Sequence, residues 1–283
     1  MKKIKLIISL VLLAIVFVGC SDNSTTPEET KTMFGLKNNS YWINGYFSLT
    51  ENNEFSTQLY NDSTFVINSV NWNEKQGFEL KRIITALGDA STMQYYVSSN
   101  NDKYFISGHF LKSFINISDN FLFKSIDLKS FTDNWCLLAD KTKSNFMLFD
   151  TAIVMTGMKI PNYEAATVDL SYNVDISKIE DNKFLDPMSN KLVNAIKYKL
   201  LHKIKVDVYY EVPIIGKQKI ELENPFITFE QQITFAEGIG LAEGFTPNQN
   251  IEFTLKGKLI PQEIKVIDEK IIGEGFRVIR YKN

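Results

Sequence analysis

Cysteine and histidine are both scarce in this chain, with two of each among 283 residues. Cys20 and Cys136 cannot build a disulfide framework, and His109 and His202 belong to no H-E-x-x-H pair or other metal-binding spacing. No G-x-S-x-G nucleophile elbow occurs. Basic residues are never massed: 31 Lys and Arg stand against 33 Asp and Glu, a net charge of −2, which speaks against a nucleic-acid partner. The densest basic group, Lys197, Lys199, Lys203 and Lys205, reads as one solvated strand face. Segments with helical periodicity are few, which excludes a parallel α/β fold. No catalytic, cofactor-binding or metal-binding residue is therefore assigned, and no cofactor is expected.

One long apolar run is present, and it is at the start. Lys2, Lys3 and Lys5 precede Leu6 to Val18, 13 residues broken only by Ser9. A spanning helix needs about 20 apolar residues, so residues 1–19 fit a cleaved signal peptide. Phe17-Val18-Gly19-Cys20 resembles the lipobox of bacterial lipoproteins, with Phe17 where Leu is usual. That resemblance implies acylation of Cys20 and attachment to the membrane through acyl chains, two or more of which anchor stably. Ser21 stands where lipoproteins retained at the inner membrane carry Asp, so the resemblance also implies the outer membrane of a bacterial envelope, on either face. Residues 20–32 are polar after Cys20 and read as a flexible tether. Residues 33–283 then form the folded part.

Beyond residue 40, apolar residues alternate with polar ones between Asn, Asp and Gly turns, the mark of antiparallel strands. The clearest case is Ile196, Tyr198, Leu200, His202, Ile204, Val206, Val208, Tyr210 and Val212. At about 3.3 Å per residue this pattern would span roughly 56 Å, so it is either a bulged, curved strand or a helix near 187–200 running into one. Asp186-Pro187 supports the helix as an N-cap pair, while strand is expected from Tyr198 onward. Further strands are expected at 78–86, 93–97, 103–110, 146–155, 164–176, 219–223, 227–235, 251–259, 263–268 and 276–281. The expected fold is mainly β, an antiparallel curved sheet that is half-barrel or barrel-like, with a sandwich as the alternative and at most one or two short helices.

Twenty-one Phe, twelve Tyr and three Trp supply a core without disulfides. In Tyr41-Trp42, Tyr95-Tyr96 and Tyr209-Tyr210, one ring can enter the core while its neighbour faces out. Cys136 reads as a buried, inert thiol and each histidine as a structural one. The Gly-rich segment Glu237–Gly244 has the wrong glycine spacing for a phosphate loop and reads as a turn needing positive φ.

Phe34-Gly35-Leu36-Lys37-Asn38-Asn39-Ser40-Tyr41-Trp42 resembles the opening segment of uncharacterised Bacteroidetes and Chlorobi lipoproteins. Phe235-Ala236-Glu237-Gly238-Ile239-Gly240-Leu241 is similar to a late segment of the same proteins. The resemblance implies a β-rich fold and carries no activity or site residues. A faint echo of residues 36–42 in 128–135 raises a two-part repeat, 33–124 and 125–283.

Three functions are in play. The first is a non-enzymatic, membrane-anchored domain whose curved sheet binds a hydrophobic or amphipathic ligand. The second is an adhesion or scaffold module with a solid core and grouped exposed aromatics, binding an envelope protein or a glycan. The third is an envelope-polymer hydrolase, which needs His109 or His202 beside a carboxylate in a cleft.

Overall fold

The computed structural model describes residues 32–34, 36–86, 89–100, 102–111, 132–160, 163–212, 214–257 and 263–282. The signal peptide, the lipobox with Cys20, most of the tether and the 124/125 junction lie outside the described residues. So does the end of one expected strand, 251–259, at residues 258 and 259.

Among the described residues sixteen strands run in chain order: β1 (Tyr41–Leu49), β2 (Phe55–Trp72), β3 (Lys75–Ala86), β4 (Asp89–Ser99), β5 (Lys103–Ser107), β6 (Trp135–Asp140), β7 (Asn145–Met147) and β8 (Ile153–Ile160). They continue as β9 (Tyr163–Leu185), β10 (Leu192–Val212), β11 (Gly216–Ile220), β12 (Phe226–Ala236), β13 (Gly240–Thr246), β14 (Gln249–Leu255), β15 (Ile264–Ile271) and β16 (Glu274–Lys282). Apart from the single helical residue Thr132, the described residues hold one helical element, a 3-10 turn, Gly108–Leu111. The fold is thus nearly all β.

Fourteen strands form one antiparallel sheet in the order β6-β5-β4-β3-β2-β1-β16-β13-β12-β10-β9-β7, with β11 beside β10 and β8 beside β9. β14 and β15 form a separate hairpin. The two ends of the large sheet, β6 and β7, follow each other in the chain. Leu137 N–H donates to the Leu148 carbonyl at 3.3 Å, and Leu148 N–H donates to Val174 on β9 at 2.9 Å. The sheet curls until its ends touch, but the ladder is not closed into a barrel.

The curl follows from the alternation. On β10, Tyr198, Leu200, His202, Ile204, Val206 and Val208 are buried, while Lys197, Lys199, Lys203 and Lys205 remain partly exposed. Three of these lysines pair with acids, Glu230, Asp175 and Asp207, and Lys197 lies over the Phe245 ring. The face opposite the lysines turns inward, and its rings fill the interior. Phe34, Tyr104 on β5 and Phe235 on β12 meet there, with centroids 4.9–6.2 Å apart, and Tyr198 reaches Phe235 at 6.2 Å. Each such ring removes enough apolar surface from water to contribute roughly 1.5–3 kcal/mol.

The β14–β15 hairpin adds Ile251, Phe253, Leu255, Ile267 and Ile271 to the same core. Gln249 ties it to β12, accepting from Glu230 N–H at 2.8 Å and donating to the Glu230 carbonyl at 2.9 Å.

Residues 187–191 are a turn, so the helix alternative at 187–200 is set aside. Asp186 is the reason: its carboxylate accepts from Met188 N–H at 2.8 Å and Ser189 Oγ at 2.6 Å, which closes the β9–β10 hairpin. The long strand is real, and it keeps register with β9 through one bulge at Lys197/Tyr198. The expected strand 146–155 is split into β7 and β8.

Candidate functional site

The two segments that carry the lipoprotein resemblance, almost 200 residues apart, pack on each other. Phe34 meets Phe235 edge to face, and Trp42 Nε1–H donates to the Ile239 carbonyl at 3.3 Å. Gly238 N–H donates to the Thr32 carbonyl at 3.3 Å. Gly238 and Gly240 have φ of 75° and 84°, so the Gly-rich turn uses the backbone freedom expected of it. Gly240 then opens β13, a wholly buried strand where sequence reading placed a loop.

Beside this junction is an open pocket of about 480 Å³, lined by Met33, Asp181, Asn182, Lys183, Asn194, Ala195 and Ile196. β9 and β10 place its walls, because Lys183 pairs with Asn194, Asn182 with Ala195 and Asp181 with Ile196 in the ladder. Met33, Ala195 and Ile196 make an apolar floor. Lys183 donates to Asn194 Oδ1 at 2.5 Å, and Asn194 Nδ2 donates to Glu237 Oε2 at 2.8 Å. Asp181 pairs with Lys178 at 2.7 Å. An apolar floor under a charged rim suits an amphipathic molecule. None of these residues was singled out as a site from the sequence, since the pocket joins three separate segments.

Both histidines are placed by their neighbours. His202 is fully buried; its Nδ1 lies 2.8 Å from Tyr172 Oη and its Nε2 3.0 Å from Gln231 Oε1. An amide oxygen only accepts, so Nε2 carries the proton and the Tyr172 hydroxyl donates to Nδ1. Gln231 Nε2 passes the chain on to Thr246 Oγ1 at 3.2 Å. Burial pushes His202 down to about 3, so it stays neutral. The chain crosses β9, β10, β12 and β13 and serves to satisfy buried polar groups.

His109 sits in the 3-10 turn, its ring 6.1 Å from Trp72 and 6.2 Å from Tyr96. It belongs to a half-buried aromatic cluster on the outside of the sheet. Trp72 stacks on Tyr96 at 4.7 Å and meets Trp135 edge to face at 4.8 Å. Lys75 Nζ lies 3.3 Å from the Phe105 centroid. Trp135 Nε1–H donates to the Trp72 carbonyl at 3.1 Å, which latches the β2–β3 turn onto β6. Trp42, by contrast, is fully buried, so the two tryptophans of the proposed repeat occupy different environments.

A second polar group lies on the inner face of β1 to β3. Arg82 pairs with Asp62, reaches the Tyr46 hydroxyl, and Asn44 Nδ2 donates to Asp62 Oδ1 at 2.7 Å. All four residues are fully buried or nearly so. The neighbouring Asp62 and Tyr46 hold Arg82 charged against the effect of burial, and burial raises Tyr46 well above the usual phenol range. Tyr60 stacks on Tyr46 at 4.6 Å, and burial lifts the Glu274 carboxyl to about 7.

Cys136 is buried, and burial pushes its thiol up to about 12, so it is not a nucleophile at neutral pH. Among the described residues, no group of three or more His, Cys, Asp and Glu could hold a metal ion. No helix among them is long and apolar enough to cross a membrane.

No family model and no curated protein sequence matches the chain. A crystal structure of a proposed lipoprotein from Parabacteroides distasonis aligns over 90% of this chain and 100% of its own, at 11% identity and a TM-score of 0.46. A proposed exported protein with a YmcC-like fold from Bacteroides fragilis aligns over 89% of this chain and 100% of its own, at 9% identity and a TM-score of 0.37. Both likenesses are too distant to carry an argument about family or activity.

Proposed function

We propose that the chain is a lipid-anchored protein of the bacterial envelope whose β domain binds a hydrophobic or amphipathic ligand. The observation that carries the reading is the open pocket over Met33, Ala195 and Ile196, with Lys183, Asn194 and Asp181 at its rim. Its volume is within the range of small-molecule sites. The ligand is placed at this pocket and not inside the curl of the sheet, because Phe34, Tyr104, Phe235 and Tyr198 pack ring against ring there. Attachment through Cys20 rests on the lipobox-like segment, and the outer membrane on Ser21.

Native mass spectrometry of the detergent-extracted full chain, before and after organic extraction, tests the binding. A stoichiometric adduct that extraction removes, and that Met33→Asp weakens, supports it. An adduct-free spectrum contradicts it.

A second reading has its own observation. The outer cluster of Trp72, Tyr96, Phe105, His109 and Trp135 groups half-buried rings on one side, as a scaffold that presents a surface to an envelope protein or glycan would. The hydrolase reading gains no support from His202, whose buried ring has both nitrogens engaged by Tyr172 and Gln231.

A further inference from the structure

The β9–β10 hairpin ends in an apolar tip at the place where the tether joins the domain. Leu185 and Leu192 face each other as the last ladder pair, and Met188 lies in the turn between them. These three side chains are 55%, 67% and 54% exposed, high for large apolar residues so close together. The tip is well held, since Asp186 closes the turn and hydrogen bonds from Ser189, Met188 and Tyr281 outweigh burial to keep its carboxyl below the usual range.

The position of the tether singles out one occupant. Thr32 is bonded to Gly238, and Glu237 N–H donates to the Asn194 carbonyl at 2.8 Å, two residues from Leu192. Residues 21–32 between Cys20 and this point can extend at most about 40 Å. Residues 195–212 of β10 carry the opposite end of the hairpin as much as roughly 56 Å further away. A membrane that holds Cys20 is therefore reached most readily by the Leu185–Leu192 end. Along the two strands Leu185/Leu192 and the more buried Phe184/Val193 come first, then Lys183, then Asp181. In the turn beyond them the Asp186 carboxylate is buried and bonded to Met188 and Ser189. Lys191 is exposed there, with a stem long enough to carry its charge back towards the phosphates. At about 3.3 Å per residue, Lys183 is roughly 7 Å and Asp181 roughly 13 Å from the last pair. Apolar side chains that enter an interface sink about 5–10 Å, which would put Lys183 near the phosphates and Asp181 in water.

We propose that the β9–β10 tip, through Leu185, Met188 and Leu192, inserts into the bilayer that anchors the chain, as a second contact that fixes the orientation of the domain. This rests on the anchor reading above.

The test uses the full acylated chain in phosphatidylcholine vesicles, with an environment-sensitive fluorophore on Met188→Cys or, at the far end, on Ile214→Cys. Doxyl-labelled acyl chains are the quencher, and acylation of Cys20 is read separately by intact mass. Quenching at 188 but not at 214, lost when Leu185→Ser and Leu192→Ser are added, supports the proposal. An acylated, vesicle-bound chain without quenching at 188 overturns it and leaves the anchor standing. A blue shift at 188 without quenching means that protein covers the tip, as in a second copy, and also overturns it. A chain with no acyl group on Cys20 fails the anchor reading and the proposal together.

Discussion

Tyr172 and His202 lie on neighbouring strands, and the phenol donates to the imidazole Nδ1 across 2.8 Å, both side chains being fully buried. The contact fixes a neutral tautomer, and the burial of the ring makes stability depend on pH. His202 is held at about 3 by burial, against an ordinary 6.5. As pH falls from about 6.5 to 3 the unfolded chain takes up a proton that the folded one refuses, so this residue removes up to about 1.4 kcal/mol of stability per pH unit.

Glu274 acts in the opposite sense. Burial raises its carboxyl from 4.5 to about 7, so its contribution is complete below pH 4.5 and is lost as pH rises through 7. Glu274→Gln should therefore gain stability relative to the parent steadily from pH 4.5 to 7. Urea unfolding at a series of pH values reads this difference, and parallel profiles for the two proteins would contradict it.

The Arg82–Asp62 pair is fully buried, so its members should be inseparable. Arg82→Met alone leaves Asp62 without its cation and should cost about 3–5 kcal/mol. Adding Asp62→Leu should recover much of that loss. A double-mutant cycle in denaturant gives the coupling, and additive losses would mean that the pair is not the unit it looks to be.

Much of this was legible from sequence where one face is apolar and the other charged. The β10 alternation with its four lysines, the turn at Gly238 and Gly240, and the gap between the strands expected at 219–223 and 227–235 all follow from local chemistry. The buried Arg82 was not legible, because an arginine among strand residues reads as solvent-facing until Asp62 and Tyr46 are brought to it from other strands. β13 was missed for a related reason: Gly-Leu-Ala-Glu-Gly-Phe-Thr is buried throughout and shows no alternation. The pocket was invisible since Met33 meets Ile196 only through the fold.

Ile214 offers a test of local strain. It is fully exposed at φ 76°, a conformation that a β-branched side chain adopts at a cost, in a turn closed by Ile215 N–H to the Val212 carbonyl at 3.2 Å. Ile214→Gly should stabilise the protein by about 1 kcal/mol, with no packing lost. A lower melting temperature for the variant would show that the isoleucine side chain has a structural partner.

Phe34 is the first large ring after the tether, and it is fully buried against Tyr104 and Phe235. Phe34→Ala should cost about 3–5 kcal/mol, as expected for an emptied ring site. Thermal unfolding decides it. A loss within about 0.5 kcal/mol, typical of surface positions, would place Phe34 outside the cooperative core.

The most direct test of the account is the native mass spectrum of the membrane-extracted full chain. A chain that begins at acylated Cys20 and carries a stoichiometric, extractable adduct is the predicted result. A chain without acylation or without any adduct would contradict the reading of a lipid-anchored, ligand-binding envelope protein.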